Sequence, residues 1–397
     1  MKNKQPVSFV IAIVLMWTLP AMSTDIYLPS MPVMASFFNT TISQIQLTIF
    51  FYTAGFSIGA LFFGPISDRI GRRPVVLGSL IFSAITSLVA CLAPDLTILF
   101  IARFCQGVAL VGVASTMRAI TKDISPDSES MAKFGAILGI AIPIAAALAP
   151  IIGGYIEKYL NWRVSFGFLF VYVVIFLIYA IKKFPETNHD KLERPFKYLL
   201  LDYQEVLLNR QFFSYNTVTA MSLSAMYAYL TISPTLMQIK CHLDPEEFGY
   251  TNILISLALV ASSFLNSKLI RRFGINRLIK AGVKIIGISG MLLVIGGIIP
   301  SSNPIIILVP VTIMAFGCGL IFPNASAGGM SIFAKSAGTA GAIYACVQML
   351  GGSMGSGLIS LLSHTYDAQL CLGVLFIIQT FIGLIAVSYL TKHDISH

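Results

Sequence analysis

The sequence predicts an all-α integral membrane protein: twelve transmembrane helices in two pseudo-symmetric six-helix bundles. Three observations predict it. Apolar residues make up 56% of the 397 and charged residues 11%, far below the roughly one quarter charged of a soluble domain. Twelve apolar runs each approach the about 20 residues a helix needs to cross a bilayer. Basic residues fall on alternate loops, as the positive-inside rule requires of a chain that crosses an even number of times.

In order, the runs lie near 7–28, 44–66, 74–93, 96–117, 134–155, 163–182, 212–236, 248–268, 275–299, 304–323, 337–362 and 369–390. The first has a basic start and a small-x-small "AMS" at 21–23, as a cleaved signal peptide has. Its removal would leave eleven spans and upset the loop charges, so an uncleaved first helix is expected. With the N-terminus inside, 22 of the 26 Lys and Arg residues lie on cytoplasmic loops and helix ends, Arg118 and Lys122 among them. Lys158, Arg163 and Lys240 lie outside and Arg103 within a span. Both termini are therefore expected in the cytoplasm, and the net charge of +9 reports topology, not a nucleic-acid partner.

The polar stretch 183–210 separates runs six and seven, giving an N-terminal bundle over 1–185, a cytoplasmic linker over 186–210 and a C-terminal bundle over 211–397. Its "YLLLDYQEVLL" portion reads either as an amphipathic helix on the inner surface or as a solvated linker. The inner loops between helices 2–3 and 8–9 echo each other, Arg69-Ile70-Gly71 matching Arg272-Phe273-Gly274. An internal repeat of this kind places a binding site between the halves, near the membrane midplane.

"GPISDRIGRRP" at 64–74 joins glycines that allow a tight turn to a cluster of Asp68, Arg69, Arg72 and Arg73. Topogenic charge explains the arginines but not Asp68. Arg103 lies about seven residues into helix 4, roughly 10 Å deep, where it either snorkels to the interface or faces an internal ion or substrate path. Asp25 lies four residues before Pro29. It is either an interfacial acid that helps end helix 1, or a cavity group that exchanges a proton for a cationic cargo, since burial favours the neutral carboxyl and a bound cation the charged one. Helix 5 carries Gly135, Gly139, Pro143, Pro150, Gly153 and Gly154, a surface that lets helices approach closely. Trp17, Tyr52, Gln106, Asn216, Tyr227, Asn324 and Gln348 are candidate cavity-lining, substrate-binding groups.

These stretches resemble the major facilitator superfamily along essentially the whole chain. "GPISDRIGRR" is similar to its G-x-x-x-D-R-x-G-R-R loop signature, "RFCQG" at 103–107 to the helix 4 signature of proton-coupled members, and "LAPIIGG" at 148–154 to the helix 5 antiporter motif, with Ala149 where many members have Gly. "NWR" at 161–163 and "PET" at 185–187 resemble drug exporters, and "TDIYLPSMP" with "SPTLMQ" at 233–238 narrows the likeness to the Bcr/CflA (bicyclomycin resistance-like) efflux group. The resemblance implies that Gly64, Asp68, Arg69, Gly71 and Arg72 form a conformational latch acting partly on the N-terminal dipole of helix 11. It also implies that Arg103 takes part in proton coupling with Asp25, and that Pro150, Gly153 and Gly154 bend helix 5 against helix 8 to control leakage. Some group members carry a second acid two turns before Asp25, where this chain has Met16, Trp17 and Thr18; a two-acid scheme and a preference for divalent cations are not carried over.

No G-x-x-x-x-G-K-[ST] phosphate loop is present, all five histidines fall in loops, at span ends or in the tail, and no CxxC pair occurs. The expectation is a monomer of the bacterial inner membrane with no cofactor but the proton gradient and no metal. It exports small amphipathic molecules, drugs or metabolites, by proton antiport. A proton-coupled uptake symporter and a transporter-like receptor are the competing readings.

Overall fold

The computed structural model describes residues 7–125, 127–188, 197–333 and 337–393, and among these there is helix and turn but no strand. The chain begins with α1 (Val7–Asp25), which gives way to a 3-10 turn, Leu28–Ser30, and to a short α2 (Met31–Phe37). Prolines cause this break: Pro29 and Pro32 lack the N–H that would continue the ladder, and each sits in the first turn of the element it opens, where that loss is tolerated. The expected end of helix 1 near residue 28 is thus an interruption inside one apolar span that continues to Phe37.

The first half is completed by α3 (Ile42–Ile70), α4 (Arg72–Leu92), α5 (Leu96–Ile124), α6 (Ser128–Tyr159) and α7 (Trp162–Lys183). The amphipathic stretch of the linker forms α8 (Lys197–Leu208). The second half contains α9 (Arg210–Pro234), α10 (Pro245–Phe273), α11 (Ile275–Ile298), α12 (Ile305–Ile332), α13 (Ala337–Leu362) and α14 (Ala368–His393). At about 1.5 Å per residue even the 21 residues of α4 match a hydrocarbon core of about 30 Å. Its lipid-facing stripe is visible in the exposed Ile81, Ile85, Leu88 and Leu92.

Side-chain oxygens of Thr41, Asp95, Asn161 and Asn209 accept from backbone N–H groups in the first turns of α3, α5, α7 and α9, and Asp244 with Glu247 forms a capping box at α10. The echo between the two inner loops has a backbone counterpart. Gly71, between α3 and α4, and Gly274, between α10 and α11, both adopt positive φ (109° and 75°), which a glycine permits at little cost.

Twelve spans are expected, and among the described residues eleven helices are long and apolar enough to qualify. The twelfth, α9, buries Ser214, Asn216, Thr219, Ser222 and Ser224 among α12, α13 and α14. A helix walled by protein need not be apolar all round, because neighbouring helices satisfy its polar groups. The two halves meet chiefly through α3 against α13 and α6 against α10. Below, the face at which α1 begins is called the N-terminal face and the opposite one the distal face.

Candidate functional site

The break after α1 leaves Asp25 as the last residue of a helix rather than part of a continuous one, and its side chain is buried (5% exposed). Arg103 of α5 lies beside it, fully enclosed (0%). The snorkelling alternative for Arg103 therefore fails. Its Nη1 donates to the Ser23 carbonyl and Oγ, both at 3.1 Å, and to Gln106 Oε1. Gln106 in turn donates to Ser87 Oγ at 2.8 Å. The guanidinium carbon lies 4.7 Å from the ring centre of Tyr27 and 4.4 Å from that of Tyr52, distances at which a desolvated cation–π contact contributes about 2 kcal/mol. Arg103 thus ties α5 to the last turn of α1.

Asp25 and Arg103 are not joined by an ion pair among the described residues, although each lies within the other's electrostatic reach. Tyr52 and Tyr227 are also within reach of Asp25. Tyr227 comes from α9, so the acid stands at the seam between the halves. A carboxylate in this position is desolvated without a direct counter-ion, and its charge state governs the local field.

The halves are tied on both sides of this level. Toward the distal face, Gln238 Nε2 donates to the Pro29 carbonyl at 3.0 Å and Gln46 Nε2 to Thr235 Oγ1 at 2.9 Å. "TDIYLPSMP" and "SPTLMQ", far apart in sequence, are therefore hydrogen-bonded to each other: the first forms the break in span 1 and the second the wide turn Thr235–Lys240 after α9. Further out, Lys158 pairs with Glu246, and the Tyr155 and Tyr250 hydroxyls lie 2.7 Å apart. The helix 5 glycines explain the approach. A methyl group built on Gly153 would lie 1.7 Å from the Ile26 carbonyl oxygen, and one on Gly154 2.4 Å from that of Pro245 in α10, while Gly249 of α10 faces the Pro150 carbonyl.

At the N-terminal face, Arg72 pairs with Asp68, with Asp123 Oδ2 at 3.0 Å and with Ser67 Oγ at 2.8 Å. Glu186 Oε1 and Oε2 accept from the backbone N–H groups of Arg72 and Arg73 at 2.8 and 3.1 Å, at the start of α4. Burial alone would raise the Glu186 carboxyl, but backbone N–H groups of Asn188, Arg72, Arg73 and Thr187 together outweigh it and hold it below its ordinary 4.5. Asp68 Oδ2 lies 3.7 Å from a methyl group built on Gly338, in the first turn of α13. That is where the positive end of a helix dipole stabilises an acid. Gly64 has open space around its Cα, and Gly71 supplies the turn between α3 and α4.

Asp123 and Glu186 were not among the sequence candidates for this cluster. "PET" put Glu186 in view only as a resemblance, and Asp123 is 51 residues from Arg72 along the chain.

A model of the family described as Major Facilitator Superfamily matches residues 13–356. The chain belongs to the Major Facilitator Superfamily. Relatives within the superfamily include Multidrug resistance protein D of Escherichia coli K12, 29% identical over 388 residues and covering 98% of this chain and 96% of that one. The Bicyclomycin resistance protein homolog of Haemophilus influenzae is 26% identical over 378 residues, covering 92% of each. Among solved structures, the bacterial homolog of the human lysosomal transporter Spinster, in an inward-facing and occupied conformation, superposes with a TM-score of 0.73 at 15% identity. It covers all of this chain and 98% of that one. The superfamily fold accounts for the two six-helix halves and their seam.

The candidate cavity residues separate into two groups. Trp17, Tyr227 and Gln348 are half-buried. Tyr52, Gln106, Asn216 and Asn324 are almost fully enclosed. Tyr52 donates to the Pro20 carbonyl at 3.2 Å, Gln106 serves Arg103, and Asn324 donates to Asn266 Oδ1 at 2.6 Å within the second half. Gln106 and Asn324 each bond a partner inside their own bundle, an arrangement that spacing on a helix cannot separate from cavity lining. Among the described residues no cluster of His, Cys, Asp and Glu is arranged to hold a metal.

Proposed function

We propose that the protein exports small amphipathic molecules, drugs or metabolites, across the bacterial inner membrane in exchange for protons, by alternating access. The N-terminal face is cytoplasmic in this reading. The observation that carries it is Asp25: a buried acid at a helix break on the seam, without a direct counter-ion and within reach of Arg103 and Tyr227. Relatives named for multidrug and bicyclomycin resistance support the export direction and the amphipathic cargo.

Ionised Asp25 is costly to bury, so it is occupied either by a proton or by the cationic part of a cargo. Competition between the two couples their movements. Arg103, held rigidly against Ser23 and Gln106, supplies a fixed positive field that restrains which of these states persists. Asp68, Arg72 and Asp123 with the start of α13 close the cytoplasmic side, while Lys158 with Glu246 and Gln238 with Pro29 close the other. Rocking of the halves breaks one set at a time. A membrane potential contributes roughly 2.3 kcal/mol per charge per 100 mV, enough for one proton per cycle to sustain a useful gradient.

Drug sensitivity of a deletion strain selects the cargo. In proteoliposomes, Asp25→Asn is expected to abolish cargo-induced proton release while leaving measurable binding. Proton release at the wild-type level would overturn the assignment.

A further inference from the structure

Arg118 reads from the sequence as one of the charges of loops and helix ends, yet it lies six residues before Ile124 on α5, about 9 Å inside the helix. The side chain is exposed, near the end of α5 at the N-terminal face. Its Cζ lies 5.9 Å from the ring centre of Trp17 on α1. Tyr344 of α13, in the other half, is within its electrostatic reach, and the Tyr344 hydroxyl is fixed by Thr219 of α9 at 2.7 Å. Elements of both halves thus converge on one cation.

Arg72 is paired with two acids, and Arg103 is held by Ser23 and Gln106 through Nη1 alone, its Nε and Nη2 having no hydrogen-bond partner among the described residues. Arg118 has no hydrogen bond or ion pair among the described residues. An unpaired arginine inside a span is costly and marks an ion or substrate path. Its fork of five N–H donors matches a carboxylate bidentately, and the Trp17 ring beside it suits an aromatic body.

We propose that Arg118 and Trp17, with Tyr344 of the other half behind them, form an anion subsite that takes the carboxylate of an aromatic cargo, the guanidinium holding the oxygens and the Trp17 ring packing on the aromatic face. The proposal rests on the export reading only for the side from which cargo arrives, and its test is equilibrium binding, which stays informative if proton coupling fails.

Trp17 and Trp162 are the chain's two tryptophans, so Trp162→Phe isolates Trp17 fluorescence in the purified full-length protein. 2-Naphthoate is expected to quench it and to bind at least about tenfold more tightly than the isosteric neutral 2-naphthamide. Arg118→Gln should bring the two affinities together, with Arg118→Lys keeping part of the difference. Calorimetry on the unsubstituted chain repeats the comparison without relying on the variants folding. Equal affinities for the two ligands, or a preference that survives Arg118→Gln, would overturn the subsite. A Trp17 response to phosphatidylglycerol but not to naphthoate would assign the cation to a lipid headgroup and overturn it equally.

Discussion

Gly153→Ala tests whether the helix 5 motif acts by allowing contact with the break in span 1. The added methyl carbon would lie 1.7 Å from the Ile26 carbonyl oxygen and 2.7 Å from its carbon, whereas ordinary contact begins near 3.4 Å. Both obstructing atoms are backbone, so no side-chain rotation relieves them, and the chain at Ile26 must retreat by about 1.7 Å, the shortfall from ordinary contact. Overpacking of this kind costs about 1–3 kcal/mol. Gly139, on the same helix, has nothing within 4 Å of a built methyl group, so Gly139→Ala should be neutral or gain up to about 1 kcal/mol of helix propensity. Unfolding of the purified variants by dodecyl sulfate titration, followed by circular dichroism, should separate the two by about 1–4 kcal/mol. Because Ile26 follows Asp25, Gly153→Ala should also weaken proton coupling. Equal stabilities for the two variants would refute the close-approach role of the motif.

Arg103→Lys should reduce export at least about tenfold, because a compact ammonium cannot lie flat over the Tyr27 and Tyr52 rings as the guanidinium does while its Nη1 bonds Ser23 and Gln106; full export in vesicles would count against that geometry. Asp68→Asn removes one of the two acids on Arg72 and the acid facing α13. Insertion measured by membrane fractionation should stay normal while export is lost, and retained export would return the loop to a purely topogenic role. Glu186→Gln should cost about 1 kcal/mol at neutral pH. The Glu186 carboxyl is held below 4.5 in the folded protein, so its contribution is present above that pH and lost as pH falls through the folded value. The stability gap between wild type and variant should therefore narrow from pH 5 to pH 3, roughly the range of that titration, and a gap unchanged over that range would refute the ionic role.

The helices were legible because each apolar run reports its own burial in lipid, locally and without a partner. The repeat was legible too: the faint match of Gly71 with Gly274 marks two turns with positive φ. The break after Asp25 was not, although Pro29 and Pro32 were in plain view, because a proline that opens a new turn and one that ends a span look alike in sequence. Within the site, Asp123 and Glu186 reach Arg72 from 51 and 114 residues away, and no periodicity encodes such a meeting. Gln106 and Asn324 illustrate the opposite limit: a buried amide on a helix is equally well explained by a partner in its own bundle.

The interior charges together constrain what the seam can carry. Trp17 precedes Asp25 by eight residues on α1, and Arg118 follows Arg103 by fifteen on α5, offsets of about 12 and 22 Å along the two helices, so Arg118 and the acid stand well apart at two levels of the seam. A purely cationic cargo is drawn to Asp25 but repelled by Arg118. A purely anionic one has the converse problem and displaces no proton. An aromatic zwitterion with its charges well separated would satisfy both ends: its cation would compete with the proton at Asp25 while its carboxylate rests on Arg118. The proposed exchange with protons and the proposed anion subsite are therefore compatible within one cargo, provided that the cargo carries both signs.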